Sequence, residues 1–163
     1  SYFCELTAQV APREENADGY LRLLLNTLYL LDTGKRACGF LKPVYELRLL
    51  TMAGFMPNLI ACAGCGCYEA EEMFFLPQSA QLACGECVRS FPADQVRLPL
   101  GRGVLAAMRH ILYSEAEKLF SFSLPGPALA RLEEVCECYT VTQLERRFDT
   151  LDFYRTMKGS VNG

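Results

Sequence analysis

Two cysteine pairs of the form CxxC constrain this chain more than any other feature. Cys62 and Cys65 make the first pair, Cys84 and Cys87 make the second, and eighteen residues separate the two pairs. A CxxC turn aims two thiolates at one point, and four thiolates are a ligand set typical of structural zinc. We therefore predict one zinc ion on these four cysteines. Because four thiolates fill the coordination sphere, the metal should hold structure and not activate water.

Disulfides and a redox-active CxxC are the alternatives for such pairs. A thioredoxin-like CxxC lies at the N-terminus of a helix that follows a strand, and neither pair has a convincing setting of that kind. Cys67 lies two residues beyond Cys65 and could replace it as a ligand. We assign Cys65 to the site because its spacing from Cys62 gives the better-formed CxxC turn.

The segment between the cysteine pairs predicts a short β-hairpin. Two apolar stretches, residues 73–76 and 81–83, flank the turn-like residues 77–80. Each CxxC turn is a zinc knuckle, and two knuckles joined by a hairpin make a zinc ribbon. We place this ribbon at about residues 58–92. The fold of so short an insert should depend on its metal, since it has little core of its own.

Apolar residues at helical spacing predict helices outside the ribbon. These stretches are residues 1–11, 18–31, 44–52, 101–113 and 127–148. In the first, Phe3, Leu6 and Val10 share a face. In the second, the shared face is formed by Tyr20, Leu24, Thr27, Leu28 and Leu31. The predicted fold class is mainly α: a helical bundle with an inserted four-cysteine zinc ribbon that contains a short β-hairpin. We expect residues 1–163 to form a single domain.

Individual residues should define the ends and faces of these helices. We expect Asp18 to cap the second helix, and Gly34 to follow its end in the left-handed conformation. Pro43 should lie in the first turn of the third helix or kink it. That helix should be buried on most of its surface, with Glu46 and Arg48 as the exceptions.

Composition excludes several classes of protein. The formal net charge of −3 argues against a strong nucleic-acid footprint over the whole surface. The nine cysteines are an odd number, and no secretory signal precedes them, so a reducing cytoplasm is the expected compartment. The most apolar run, residues 21–31, is too short to cross a membrane. The chain opens at Ser1 inside a helical pattern and has its first methionine at Met52, so we expect it to be part of a longer protein.

The order of motifs around the first CxxC closely resembles the signature of the bacterial recombination mediator RecO family. That signature is matched by the run YELRLL from Tyr45 to Leu50, followed by Gly54-Phe55, Pro57 and the cysteine pair. Tyr2 with Glu5-Leu6 is similar to the family's first helix after its OB-fold, and the segment from Arg146 to Leu151 is similar to its C-terminal segment. The resemblance covers nearly the whole chain.

The resemblance implies a DNA repair and recombination accessory protein that is not an enzyme. RecO proteins bind and anneal single-stranded DNA, mainly through an OB-fold that this sequence does not include. They associate with RecR and with the C-terminal tail of single-stranded-DNA-binding protein, and they help place RecA on coated strands. The alternative is a free-standing zinc-ribbon nucleic-acid-binding or regulatory protein, which the ribbon's acidic residues Glu69, Glu71, Glu72 and Glu86 disfavour.

Basic residues beside apolar surface are the candidate partner contacts. Recognition of an acidic tail needs cations next to an apolar groove. Arg146 and Arg147, near the end of the last predicted helix, either complement its dipole or contact a phosphate or an acidic peptide. The candidate contacts for a partner or for DNA are Lys35, Arg36, Lys42, Arg48, Arg146 and Arg147.

Overall fold

A computed structural model describes residues 1–11 and 17–161 of the chain, with side chains described as far as Arg146. Five α-helices and four β-strands occur in this part. The helices are α1 (Tyr2–Val10), α2 (Asp18–Asp32), α3 (Cys38–Met52), α4 (Arg102–Tyr113) and α5 (Gly126–Val161). Between α3 and α4 lie β1 (Asn58–Cys62), β2 (Met73–Leu76), β3 (Gln81–Cys84) and β4 (Leu98–Leu100). Five helices with one small sheet agree with the mainly α prediction.

Helix α3 lies at the centre of the helical part. It packs against α1, α2, α4 and α5, and its side chains Leu41, Val44, Tyr45, Leu49 and Leu50 are completely buried. A helix that is apolar on most of its surface is stable only when neighbours cover it on several sides, as happens here. The prediction that the third helix is mostly buried is therefore confirmed.

The start of α3 differs from the sequence prediction. The helix begins at Cys38, so Pro43 lies in its second turn and not in the first. Proline has no N–H to donate to the carbonyl of Gly39, four residues earlier, which weakens a helix locally. Packing of α3 against four other helices offsets this loss, because helical stability in proteins comes mostly from tertiary contacts.

The first two helices pack through one face each. Phe3, Leu6 and Val10 of α1 are buried, as predicted. In α2 the buried residues are Tyr20, Leu23 and Thr27, whereas Leu31 is 37% exposed. The predicted face of α2 was therefore rotated slightly from the real one, since leucines surround much of this helix and its spacing alone is ambiguous.

The ends of α2 confirm one prediction and contradict another. Gly34 follows the helix with a φ of +68°, the left-handed conformation expected of it. Asp18 does not cap the helix. It is the first helical residue, and the preceding Ala17 makes no side-chain capping bond. A carboxylate in the first turn still interacts favourably with the helix dipole.

The sheet has the strand order β1-β3-β2-β4. Strands β2 and β3 form the predicted hairpin, with Met73 opposite Cys84 and Leu76 opposite Gln81. Strand β1 pairs with β3 in parallel, and β4 pairs with β2 in an antiparallel way. Because two parallel strands end at the same edge of a sheet, β1 and β3 bring Cys62 and Cys84, their last residues, together.

Helix α5 is longer than the sequence pattern indicates. It runs from Gly126 to Val161, beyond the predicted end at residue 148, and it buries Leu132, Val135, Cys136 and Tyr139. Arg146 therefore lies well before the last turn and cannot complement the helix dipole there. Apolar residues continue at helical steps through Leu144, Phe148 and Leu151, so the pattern contains no signal for an end at residue 148.

Candidate metal centre

Four cysteine sulfurs converge at the edge of the sheet. The Sγ atoms of Cys62, Cys65, Cys84 and Cys87 all lie within 4.8 Å of one another, and those of Cys65 and Cys84 are 3.8 Å apart. Cys67 lies outside this group of four. Its carbonyl accepts a hydrogen bond of 2.9 Å from the N–H of Cys62, and hydrogen bonding to the neighbouring Cys65 side chain raises the pKa of the Cys67 thiol to about 12. The four clustered thiols could hold one metal ion.

Two glycines allow the first knuckle to close. A Cβ on Gly64 would lie 2.7 Å from the Cβ of Cys87 and 2.8 Å from its Sγ, so only glycine lets the two cysteine turns approach this closely. Gly66 has a φ of +79° and donates its N–H to the carbonyl of Cys62 at 2.9 Å. This left-handed position favours glycine because it has no Cβ.

Backbone N–H groups stabilise the thiolate form of Cys62. Its Sγ accepts hydrogen bonds from the N–H of Gly64 at 3.3 Å and from the N–H of Cys84 at 3.2 Å. Burial raises the pKa of Cys62, but the backbone hydrogen bonds outweigh burial and lower this pKa to about 6. Thiolates are the form that binds metals.

The pKa values of the partner cysteines move in both directions. Backbone hydrogen bonding from Cys87 lowers the pKa of Cys84, whereas hydrogen bonding to the Cys84 side chain raises the pKa of Cys87 to about 12. Neighbouring thiols share protons in this way because adjacent thiolates repel each other. A bound cation would remove that repulsion and favour four thiolates.

Arg109 of α4 anchors the helical part to β1, the strand that ends at Cys62, and to the loop after the first cysteine pair. Its side chain is 8% exposed. Nε donates to the carbonyl of Leu59 at 2.9 Å, and Nη2 donates to the carbonyl of Tyr68 at 2.7 Å. Sequence reasoning missed this residue. The available signal was its place four residues after Leu105, beside the apolar face of α4.

The basic residues predicted to contact partners do not form one surface. Lys35 donates to the hydroxyl of Tyr29 at 3.1 Å on the outside of α2. Arg36 donates to the carbonyls of Phe120 at 2.6 Å and of Phe122 at 2.9 Å. Arg146 donates to the carbonyl of Gln78 in the hairpin turn at 2.6 Å. The side chain of Arg147 lies outside the described residues.

Arg48 is not the exposed exception on α3 that the sequence suggested. Its Nη1 donates to the carbonyls of Ile111 at 2.9 Å and Ser114 at 2.8 Å, which satisfies carbonyl groups at the C-terminal end of α4. Burial lowers the pKa of Arg48. The same residue also lines a cavity of about 210 Å³ together with Arg22 of α2.

Glu46, the other expected exception, is 1% exposed. Its Oε2 accepts a hydrogen bond of 2.5 Å from the hydroxyl of Tyr2 and forms an ion pair of 3.4 Å with Lys42. Lys42 also pairs with Glu137 at 3.5 Å. Burial raises the pKa of Glu46, although Tyr2 and Lys42 act in the opposite direction.

Membrane insertion through a helix has no support in the described part of the chain. None of the helices there combines the length and the apolar character that a bilayer crossing requires.

Comparison with known proteins agrees with the family that the order of motifs resembles. The protein called DNA repair protein RecO from Acetivibrio thermocellus is 28% identical over 157 residues, 96% of this chain and 61% of that protein. The protein of the same name from Symbiobacterium thermophilum is 28% identical over 163 residues, 98% of this chain and 63% of that protein. The chain thus spans less than two thirds of the length of these relatives. A family model described as Recombination protein O C terminal matches residues 1–152, and the chain therefore belongs to the RecO C-terminal family.

Proposed function

We propose that this chain is the helical and metal-binding part of a non-enzymatic accessory protein in DNA repair and recombination. The observation that carries the proposal is the family match over residues 1–152, supported by relatives named DNA repair protein RecO. The family resemblance further suggests that the full-length protein binds and anneals single-stranded DNA and helps load RecA. A metal site closed by four thiolates suits such a role, since it leaves no position for a reacting water.

A loading assay with the full-length protein tests this function. RecA filament formation would be followed on single-stranded DNA coated with its binding protein, with and without the full-length protein. We expect filament formation to become several-fold faster when the full-length protein is present. If the full-length protein neither accelerates filament formation nor anneals complementary strands, the proposed function is wrong.

Zinc is the metal that we propose for the cysteine cluster. In a tetrahedral site with Zn–S bonds of about 2.3 Å, neighbouring sulfurs lie about 3.8 Å apart. The Cys65 and Cys84 sulfurs are 3.8 Å apart. One structural zinc would make residues 58–92 a zinc ribbon inserted into a single helical domain of residues 1–163.

Elemental analysis of the purified chain tests the zinc proposal. We expect one zinc per chain in the wild type and a loss of zinc in Cys84→Ser. Cys38→Ser is the matched control, because Cys38 is exposed at the start of α3 and lies outside the cluster. A wild-type chain without zinc, or a Cys84→Ser variant that keeps it, would contradict the proposal.

The tail of single-stranded-DNA-binding protein is the partner that we propose for the cavity between α2 and α3. Arg22 and Arg48 line this cavity beside the apolar side chains of Leu23, Leu119 and Phe120. Arg36 lies near the same place, since it bonds to the carbonyl of Phe120. Cations next to an apolar hollow suit an acidic tail that ends in phenylalanine. Lys42 belongs to a different cavity, so this proposal does not use it.

Titration with an acidic, phenylalanine-ended peptide separates these surfaces. Arg22→Glu should weaken binding by about tenfold, which corresponds to about 1.4 kcal/mol, without lowering the melting temperature, because Arg22 is exposed. Lys42→Glu is the matched charge reversal at the other cavity and should leave affinity unchanged. If only Lys42→Glu weakens binding, the peptide binds in the cavity that Lys42 lines. If the wild type does not bind the peptide at millimolar concentration, the proposed binding of the tail by this region is wrong.

RecR and single-stranded DNA are the other partners that we propose, in the cytoplasm and without a membrane contact. For DNA, a net charge of −3 predicts that this chain alone binds poorly at physiological salt, since phosphate attraction dominates such affinity. Tight binding of this chain to a labelled oligonucleotide at physiological salt, measured by anisotropy, would contradict that expectation.

A further inference from the structure

A second cavity of about 210 Å³ lies between α1, α3 and α5 and opens to the surface. It has acidic and apolar walls. The side chains of Leu6 and Val141 contribute the apolar part, and three carboxylates line it together with a single ammonium. Pockets for drug-sized ligands are typically about 300–1,000 Å³, so this one suits a smaller group.

One carboxylate in this cavity is buried and incompletely satisfied. Glu46 is 1% exposed, and its Oε1 has no hydrogen-bond partner among the described residues. The two interactions of Glu46, with Tyr2 and with Lys42, both involve Oε2. A buried oxygen of this kind is unfavourable unless something donates to it.

The charges around Glu46 do not balance. Lys42 is the ammonium in the cavity, and it is shared between Glu46 at 3.4 Å and Glu137 at 3.5 Å. Glu5 of α1 also lines the cavity. Three carboxylates face one ammonium, which leaves room for further positive charge. Partly buried carboxylates that share one cation are stabilised by a second one.

We propose that this cavity binds the basic side chain of an arginine or lysine from a partner protein, with the exposed carboxylate of Glu137 accepting a hydrogen bond from its charged head and the buried charge of Glu46 attracting it. The apolar wall formed by Leu6 and Val141 would contact the aliphatic stem of that side chain, as surfaces that bind long basic side chains do. This site is separate from the cavity that Arg22 and Arg48 line, so it adds to the proposed function and does not depend on it.

Titrations with capped amino acids, followed by NMR of the isotope-labelled chain, test the proposal. The probes are N-acetyl-arginine amide and N-acetyl-lysine amide, with N-acetyl-norleucine amide as the uncharged match. We expect saturable shifts of the Leu6 and Val141 methyl signals with a millimolar dissociation constant, about −4 kcal/mol, for the basic probes only. Equal binding of norleucine, or no saturable shift at 50 mM of either basic probe, would overturn the proposal.

Two variants show whether the basic probes bind in this cavity. Glu46→Gln keeps the shape of the side chain but removes its negative charge, so it should weaken binding of the basic probes by about tenfold or more. Glu133→Gln, on the same helix as Glu137 but outside the cavity, should bind like the wild type. If Glu46→Gln binds as well as the wild type, the assignment is wrong.

Two further arms complete the test. Val141→Phe fills the cavity from α5 and should abolish binding while the melting temperature holds, since Val141 is 47% exposed. Unchanged binding in that variant would also overturn the proposal. Spermidine provides a free polyamine for comparison. Spermidine binding that survives Val141→Phe would show attraction of small cations and not recognition of a side chain.

Discussion

The guanidinium of Arg109 lies over the ring of Tyr68, with its central carbon 3.7 Å from the ring centroid. The same side chain donates hydrogen bonds to the carbonyls of Leu59 and Tyr68. These two residues flank the first cysteine pair in the sequence, one before it and one after it. A single arginine of α4 therefore fixes both ends of the first knuckle to the helical part.

Removing this arginine should destabilise the chain. Arg109→Met deletes at least two hydrogen bonds from a charged donor, and each such bond contributes about 1.5–3 kcal/mol, so we expect a loss of about 3 kcal/mol in the free energy of unfolding. Arg109→Lys keeps the charge but loses the planar guanidinium, so its free energy of unfolding should lie between those of the parent and Arg109→Met. Urea denaturation of the parent and the two variants measures these values. The exposed Arg89→Met is the control and should stay within about 0.5 kcal/mol of the parent; an equal effect of both methionine variants would refute the anchoring role.

Metal removal should affect the sheet more than the helices. The edge of the sheet depends on four converging thiols, whereas the apolar core, which extends into the strands, is built mainly from side chains of the helices. After a strong chelator, we expect the helical circular dichroism signal to remain largely intact while NMR signals of β1 and β3 broaden or shift to random-coil positions. Re-addition of zinc should restore them. Helices that melt together with the sheet would show that the two parts are one cooperative unit.

Gly64→Ala should impair metal binding directly. The new methyl group would lie 2.7 Å from the Cβ of Cys87 and would push the two knuckles apart. We expect affinity for zinc to fall by about 10- to 100-fold, as for other changes that disturb ligand orientation. Competition with a chromophoric chelator measures this affinity. Gly101→Ala is the control because a Cβ there meets no atom within 4 Å; equal affinities in the two variants would contradict the predicted clash.

Glu46 should make stability depend on pH in the direction opposite to most carboxylates. Its pKa is raised by burial, so the folded state binds this proton more tightly than the unfolded state, in which the pKa is about 4.3. The contribution of Glu46 to stability is therefore largest at acidic pH and falls as pH rises from about 4.3 through the raised folded value. The groups that act on Glu46 are Tyr2 on α1, Lys42 on α3, and Cys136 and Glu137 on α5.

Glu46→Gln should remove this dependence. Relative to the parent, the variant should gain stability as pH rises from about 4.3 through the raised folded pKa of Glu46, because it has no proton to lose in that window. Urea denaturation at several pH values measures the difference. Glu134→Gln, which alters an exposed ion pair with Arg131, should track the parent. A difference between Glu46→Gln and the parent that stays constant with pH would contradict the expectation.

The parts of the fold that sequence predicted are local ones. The hairpin of β2 and β3 and the two CxxC turns each involve residues close in the chain, so their patterns are visible without the rest of the molecule. Strands β1 and β4 were missed because their partners lie far along the chain. Strand β4 contains Pro99, which is tolerated because β4 lies at the edge of the sheet.

Glu46 and Arg48 show why the predicted site was incomplete. Charged residues in a helical pattern are normally assigned to the solvent side, and both were. Their burial depends on partners more than forty residues away, the hydroxyl of Tyr2 for Glu46 and the carbonyls at the C-terminal end of α4 for Arg48. Periodicity contains no information on such distant hydrogen bonds, so neither role could be read from spacing.

The parallel pairing of β1 with β3 has a consequence for the order of folding. The β2–β3 hairpin closes a short loop and can form early, whereas β1 reaches β3 only after the whole hairpin between them is in place. Cys62 and Cys84, the last residues of these two strands, therefore meet late. Metal capture by the complete set of four sulfurs would then coincide with the docking of β1, so the rate at which this small sheet matures should respond to the supply of the free metal ion.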